Sequence, residues 1–205
     1  MAFWGAPLDD ARHAEKCCRV ALEMQDRLKE LRTKWAEEGK PQLYARMGIN
    51  TGPMVVGNMG AETRMDYTIM GDEVNLAARL EGVNKAYGTE IIISQATLDQ
   101  CGDIFEVREL DSIRVVGKEQ AVIIYELLSL KGAVSAEKQE ILDLYAEGLS
   151  LYYEMKWPEA VEVFGRIFEL DPDDGPSLTY LERCLDFRIN PPGPEWSGVH
   201  VMGSK

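Results

Sequence analysis

Apolar positions step by three and four through Ala14, Cys18, Ala21, Met24, Leu28, Leu31 and Trp35. That spacing predicts one long amphipathic helix, capped by Asp9 or Asp10 and ended by Gly39 and Pro41. Ahead of it, residues 1–5 read as a short apolar strand closed by Gly5 and Pro7. Downstream the period shortens towards two. Residues 43–50 and 53–59 read as two strands joined as a hairpin around Thr51 and Gly52, and residues 65–70 as a third. A helix is predicted over 72–87, stopped by Gly88. Residues 90–93 form a short buried strand, Ser94 caps a short helix reaching Cys101, and three strands follow between Phe105 and Leu128. Strands and helices mixed in this way, with hairpins present, predict an α+β fold rather than a parallel β-α-β repeat.

The pattern changes near Lys131 to Ser135, where β-rich sequence gives way to helix-rich sequence. Leu142, Tyr145, Leu149 and Tyr152 mark one helix, and Ala160, Val163, Phe164, Ile167 and Phe168 a second that starts at Pro158. A third runs over 176–188, and Pro191, Pro192 and Pro194 predict an extended tail. The expected organisation is therefore 1–130, 131–190 and 191–205.

Composition narrows the function. The 205 residues carry a net charge of −13, of which residues 133–205 hold −8. A face that neutralises nucleic-acid phosphates must be basic, so this acidity argues against a nucleic-acid partner. No apolar run approaches the roughly 18–20 residues of a membrane span, and the N-terminus lacks the basic flank of a secretory signal. Cys17, Cys18, Cys101 and Cys184 show no metal-type or disulfide-type spacing, which fits free thiols in a reducing, cytoplasmic setting. With only His13 and His200, a histidine metal site is not expected.

Two stretches exceed what periodicity explains. The first combines Arg46-Met47-Gly48-Ile49-Asn50-Thr51-Gly52, Val55-Val56-Gly57-Asn58-Met59-Gly60, and the run from Met65 through Gly71-Asp72-Glu73-Val74-Asn75 to Arg79-Leu80-Glu81. With Met1 to Pro7 and Asp111 to Leu127, it resembles the class III nucleotidyl cyclase catalytic domain of the bacterial adenylate cyclase type, over about residues 1–128. The resemblance implies conversion of ATP to cyclic AMP and pyrophosphate, with two Mg²⁺ or Mn²⁺ ions in a site shared across a dimer. It places Arg79 at the transition-state arginine position, Asn75 at the ribose-orienting position and Thr68 at the adenine-recognising position. Asn75 and Arg79 stand at i and i+4, so one helix face presents both, while Leu76, Leu80 and Val83 lie on another face and are free to pack. The family's phosphate-contacting lysine is replaced by Val116, and Lys118, on the same side of that strand, is the candidate substitute.

The family's two metal-binding aspartates have no counterpart here, and neither do its first strand, the following two helices, its second strand or its adenine-contacting lysine. The sequence therefore reads as an N-terminally truncated catalytic domain, with no metal ligand assigned and no expected activity alone. Two alternatives follow. The chain could complement a metal-bearing cyclase partner, or act as a non-catalytic interaction protein.

The second stretch supports the last of these. Leu144, Gly148, Leu151, Ala160, Phe164 and Pro172 fall in the register of one tetratricopeptide repeat counted from Ile141. A single repeat cannot bury its own face, so it is expected to pack on the cyclase-like part or on a partner.

Overall fold

A computed structural model describes residues 1–61, 63–114, 120–193 and 195–202. In chain order the elements are α1 (His13–Glu37), β1 (Met47–Ile49), β2 (Val55–Ala61), β3 (Arg64–Met70), α2 (Asp72–Tyr87), β4 (Ile91–Ser94), α3 (Gln95–Cys101), β5 (Phe105–Arg114), β6 (Val122–Leu130), α4 (Ala136–Tyr153), α5 (Trp157–Leu170), α6 (Gly175–Ile189) and β7 (His200–Val201). A mixed sheet in the order β1-β4-β6-β5-β7 forms the centre of the α+β fold, and β2 and β3 form a separate two-stranded ribbon. Strands β1 and β4 run parallel, β6 is antiparallel to β4 and β5, and β7 runs parallel to β5.

The sheet buries both faces. On one side α1 and α3 cover it through Ala14, Cys18, Ala21 and Cys101, packed with Ile49, Ile91, Ile93, Phe105 and Leu127. On the other, α2 contributes Leu76, Leu80, Val83 and Tyr87 against Ile92, Leu110, Ile113 and Ile124. Alternate residues of β4 point to opposite faces, so the run of isoleucines from 91 to 93 serves both cores. Gly48 sets how closely α2 approaches. A Cβ there would stand 2.2 Å from Glu81 N and 2.3 Å from Ala77 O, so only glycine lets the helix rest on β1.

The helical region forms a third core rich in aromatic rings. Tyr145, Tyr152, Trp157, Phe164 and Tyr180 are buried in it, and Phe187 and Trp196 pack against them. Gly148 is where α4 meets α5, since a Cβ there would lie 2.8 Å from the Phe164 ring. This core does not stand alone. Arg108 of β5 is held by Asp174 at the start of α6, and the Tyr180 hydroxyl donates to Leu110 O at 2.7 Å.

Several local expectations are revised. Residues 1–5 form no strand; Phe3 instead rests near Tyr67, ring centroids 6.1 Å apart. Thr51-Gly52 does not close a hairpin, because β1 leaves to pair with β4 and the antiparallel ribbon forms one step later between β2 and β3. Two long strands, not three, are described between Phe105 and Leu130. The tail is not simply extended: Trp196 joins the aromatic core, and His200–Val201 adds a strand beside β5. The long helix begins three residues after Asp10, whose carboxylate still accepts from Arg12 N and Lys16 Nζ. Burial, followed by the thiol of Cys101, pushes the Cys17 thiol up to about 12, as suits an inert thiol.

Candidate functional site

Helix α2 carries the candidate site. It starts at Gly71, whose φ of 146° lies where side chains are disfavoured, and ends at Gly88 in the left-handed conformation. The chain therefore turns out of β3 into the helix at a fixed point. Leu76, Leu80, Val83 and Tyr87 are buried, and the helix shows Asn75 and Arg79 to solvent on another face. The predicted division of its faces holds.

Polar contacts anchor this helix to β1 from below. The buried Asn84 side chain donates to Met47 O at 2.9 Å and accepts from the Thr89 hydroxyl at 2.9 Å. Near the start of the helix, Asn50 Nδ2 donates to Glu73 Oε2 at 2.8 Å and to Glu73 O at 3.1 Å. The Ser94 hydroxyl donates to Asn50 Oδ1 at 2.6 Å, so the ends of β1 and β4 and the first turn of α2 share one network. Sequence reasoning did not single out Asn50 or Asn84. Their signal was only that each is a polar residue at an otherwise core-facing position.

Thr68 lies half-buried on β3, opposite Gly57, in the ribbon that leads directly into α2. Among the described residues no hydrogen bond or ion pair joins Thr68, Asn75 and Arg79, and the side chains of Asn75 and Arg79 make none of their own. Val116 and Lys118 lie outside the described residues. Val55, Met65, Tyr67 and Met70 of the ribbon that leads into α2 are exposed, an apolar patch on the strands that precede the helix.

A cavity of about 330 Å³ lies between β5 and α4, and one of about 500 Å³ between α1 and β6. Neither includes the three candidate residues. Among the described residues no three His, Cys, Asp or Glu side chains converge to hold a metal ion. No helix among them is long and apolar enough to cross a membrane.

The two-sided sheet, the separate ribbon and the helix displaying Asn75 and Arg79 define an α+β domain of the class III cyclase type. The chain belongs to the adenylate and guanylate cyclase catalytic domain family, whose family model matches residues 1–129. It is 44% identical over 135 residues to adenylate cyclase 1 of Rhizobium meliloti, covering 66% of this chain and 20% of that protein. It is 40% identical over 143 residues to the terminal-differentiation-specific adenylate cyclase of Dictyostelium discoideum, covering 68% of this chain and 7% of that protein. The chain thus spans a fifth or less of the length of these relatives. The crystal structure of the adenylyl cyclase CyaB from P. aeruginosa superposes with a TM-score of 0.57 at 36% identity, covering 64% of this chain and 68% of that one. The guanylyl cyclase Cya2 gives 0.54 at 31% identity, covering 64% and 66%.

Proposed function

We propose that this chain supplies the Asn–Arg half of an adenylate cyclase site formed across a dimer of cyclase domains. In that reaction the ribose 3′-hydroxyl gives up its proton as its oxygen attacks the α-phosphorus of ATP, the bond from that phosphorus to the oxygen bridging to the β-phosphate breaks, and cyclic AMP, pyrophosphate and a proton are formed. Negative charge builds on the α-phosphate oxygens, where a fixed guanidinium lowers the barrier. Arg79 has that role in this reading, Asn75 orients the ribose, Thr68 reads the adenine edge and Lys118 is the candidate phosphate contact. The carboxylates that hold the divalent cations belong to the other half of the site, and no step here is assigned to them.

One observation carries the proposal. Asn75 and Arg79 share an exposed face of a helix whose other face is buried and whose start is fixed by Gly71 and Asn50. The exposed apolar residues of the ribbon that leads into this helix support a second domain as a cover for this part of the fold. ATP as substrate is supported by the two relatives named as adenylate cyclases. The helical region after residue 131, with its one-repeat tetratricopeptide register, is read as a part that packs on the catalytic fold.

The test is complementation. The full 205-residue chain is mixed with a cyclase domain that keeps its metal-binding aspartates but lacks its own Asn and Arg, and cyclic AMP is measured with Mg²⁺ or Mn²⁺. Activity should appear with the wild-type chain and fall by about 10²–10³ with Arg79→Ala. Equal activity from both would overturn the reading.

A further inference from the structure

The helical region grips the same helix that carries Asn75 and Arg79, at its other end. Gly175 at the start of α6 lies so close to the end of α2 that a Cβ on it would stand 2.3 Å from Tyr87 O. One turn on, the Thr179 hydroxyl lies 3.2 Å from Ala86 O and 3.1 Å from Gly175 O, with its single proton shared between the two. Ala86 O is among the last carbonyls of α2, which have no partner within the helix and need one from outside. A further turn along, Arg183 Nη1 meets Asp111 Oδ2 at 2.7 Å and Nη2 donates to the Tyr87 hydroxyl at 3.0 Å. The Tyr87 hydroxyl in turn donates to Asp111 Oδ2 at 2.5 Å. Asp111 and Tyr87 are 0% and 1% exposed; without the arginine Asp111 keeps Tyr87 and Ser112 N as donors but loses the charged partner of its buried carboxylate.

These contacts come from outside residues 1–129, the part that matches the cyclase family. We infer that α6 is the positioning element for the C-terminal end of α2, with Thr179 and Arg183 as the positioning residues, and so fixes the Asn–Arg face that α2 displays. The catalytic half of this inference rests on the adenylate cyclase reading; the mechanical half does not. Without α6 the end of α2 keeps the Asn84 bond to Met47 O and the buried Leu80 and Val83, but Ala86 O and Tyr87 lose their cover and the last turn is freer to fray. Two turns separate Tyr87 from Arg79, within reach of such fraying.

The experiment uses the full chain in wild-type, Thr179→Val, Arg183→Ala and Arg183→Lys forms. Thr179→Val removes one hydroxyl with little change of shape, so it keeps the test alive where Arg183→Ala fails to fold. Amide hydrogen exchange is followed in α2, β4 and β6. Exchange over residues 84–88 should quicken by about tenfold or more in Thr179→Val and Arg183→Ala, with β4 and β6 unchanged and Arg183→Lys in between. In the complementation assay, Arg183→Ala should lower kcat with KM for ATP within about twofold, and Arg183→Lys should recover part of the loss. Unchanged α2 exchange in both variants, or an equal loss of protection across every element, overturns the inference. So does quickened α2 exchange with unaltered kcat. Should the wild-type chain yield no cyclic AMP, the cyclase reading fails by itself, and the exchange pattern alone decides whether α6 fixes α2.

Discussion

Arg108 and Asp174 lie 66 positions apart in the chain, yet Arg108 Nη1 stands 2.8 Å from both carboxylate oxygens of Asp174. Their side chains are 3% and 2% exposed. Two buried charges lose hydration that their attraction repays only when the remaining hydrogen-bonding capacity is also used. Here it is. Arg108 Nε and Nη2 donate to Glu126 Oε2 at 2.9 and 2.6 Å, while Asp174 accepts from Ser177 N, the Ser177 hydroxyl and Lys138 Nζ. The same Asp174 caps the start of α6. One residue thus starts the third helix of the tail and fastens it to β5.

Replacing Asp174 with Asn should cost about 3–5 kcal/mol of unfolding free energy, because Arg108 is left buried with one partner lost. Burial alone would raise the Asp174 carboxyl; Arg108, Ser177 and Lys138 outweigh it and hold it below the usual value of 3.8. A carboxyl lowered on folding adds stability that is complete above its unfolded value and fades as pH falls through the folded one. Urea melts of wild type should therefore lose stability on acidification below about pH 4, by more than melts of Asp174→Asn. Parallel pH dependences in the two proteins would show that Asp174 is not held in this way.

Gly48 and Gly57 separate packing from backbone freedom. A Cβ on Gly48 meets the main chain of Ala77, Leu80 and Glu81, atoms that cannot yield unless α2 moves. Gly57, in the ribbon, has nothing within 4 Å of its Cβ position. Gly48→Ala should lose about 3 kcal/mol or more, and Gly57→Ala less than about 1 kcal/mol, by denaturant unfolding. Equal losses would mean that α2 does not rest on β1 through Gly48.

How much of this was legible depended on whether the signal was local. The stop at Gly88, the cap at Ser94 (its hydroxyl accepts from Thr97 N) and the three tail helices all have local signals, and each stands where its pattern put it. Strand partners had none. The period-two pattern of 53–59 fits pairing with either neighbour, and β1 chose a parallel partner 44 residues away. His200–Val201, two exposed residues, carries no strand pattern at all. At the site, the i, i+4 spacing of Asn75 and Arg79 was readable. That Asp111 and Arg183 meet under the end of the same helix was not, because no short-range rule links positions 72 residues apart.

The exposure of Asn75 and Arg79 makes a clean separation of function from folding. Neither side chain contributes a buried contact, so Asn75→Ala and Arg79→Ala should melt within about 0.5 kcal/mol of wild type. In the complementation assay the Arg79 variant should lose about 10²–10³ in rate, the scale seen when a transition-state donor is removed. A loss of rate matched by a loss of stability would instead mark Arg79 as structural.

Asn50 offers a test of how the start of α2 is held, because its bond to Glu73 can be reversed. In Asn50→Asp a carboxylate replaces the amide donor that stands 2.8 Å from Glu73 Oε2, and two like charges face each other at the helix start. Each raises the proton affinity of the other in the folded state, so the penalty is complete at neutral pH. It should ease as pH falls from about 7 towards about 4 and the pair takes up a shared proton. The expected cost at pH 7 is about 1–3 kcal/mol. Adding Glu73→Gln restores a donor facing the new carboxylate and removes one charge, while the Ser94 hydroxyl can still donate to position 50 as it does at 2.6 Å. The double variant should recover most of the stability at pH 7 and lose the acid-side gain. A double variant no more stable than Asn50→Asp alone would mean that the Asn50–Glu73 bond does not fix the helix.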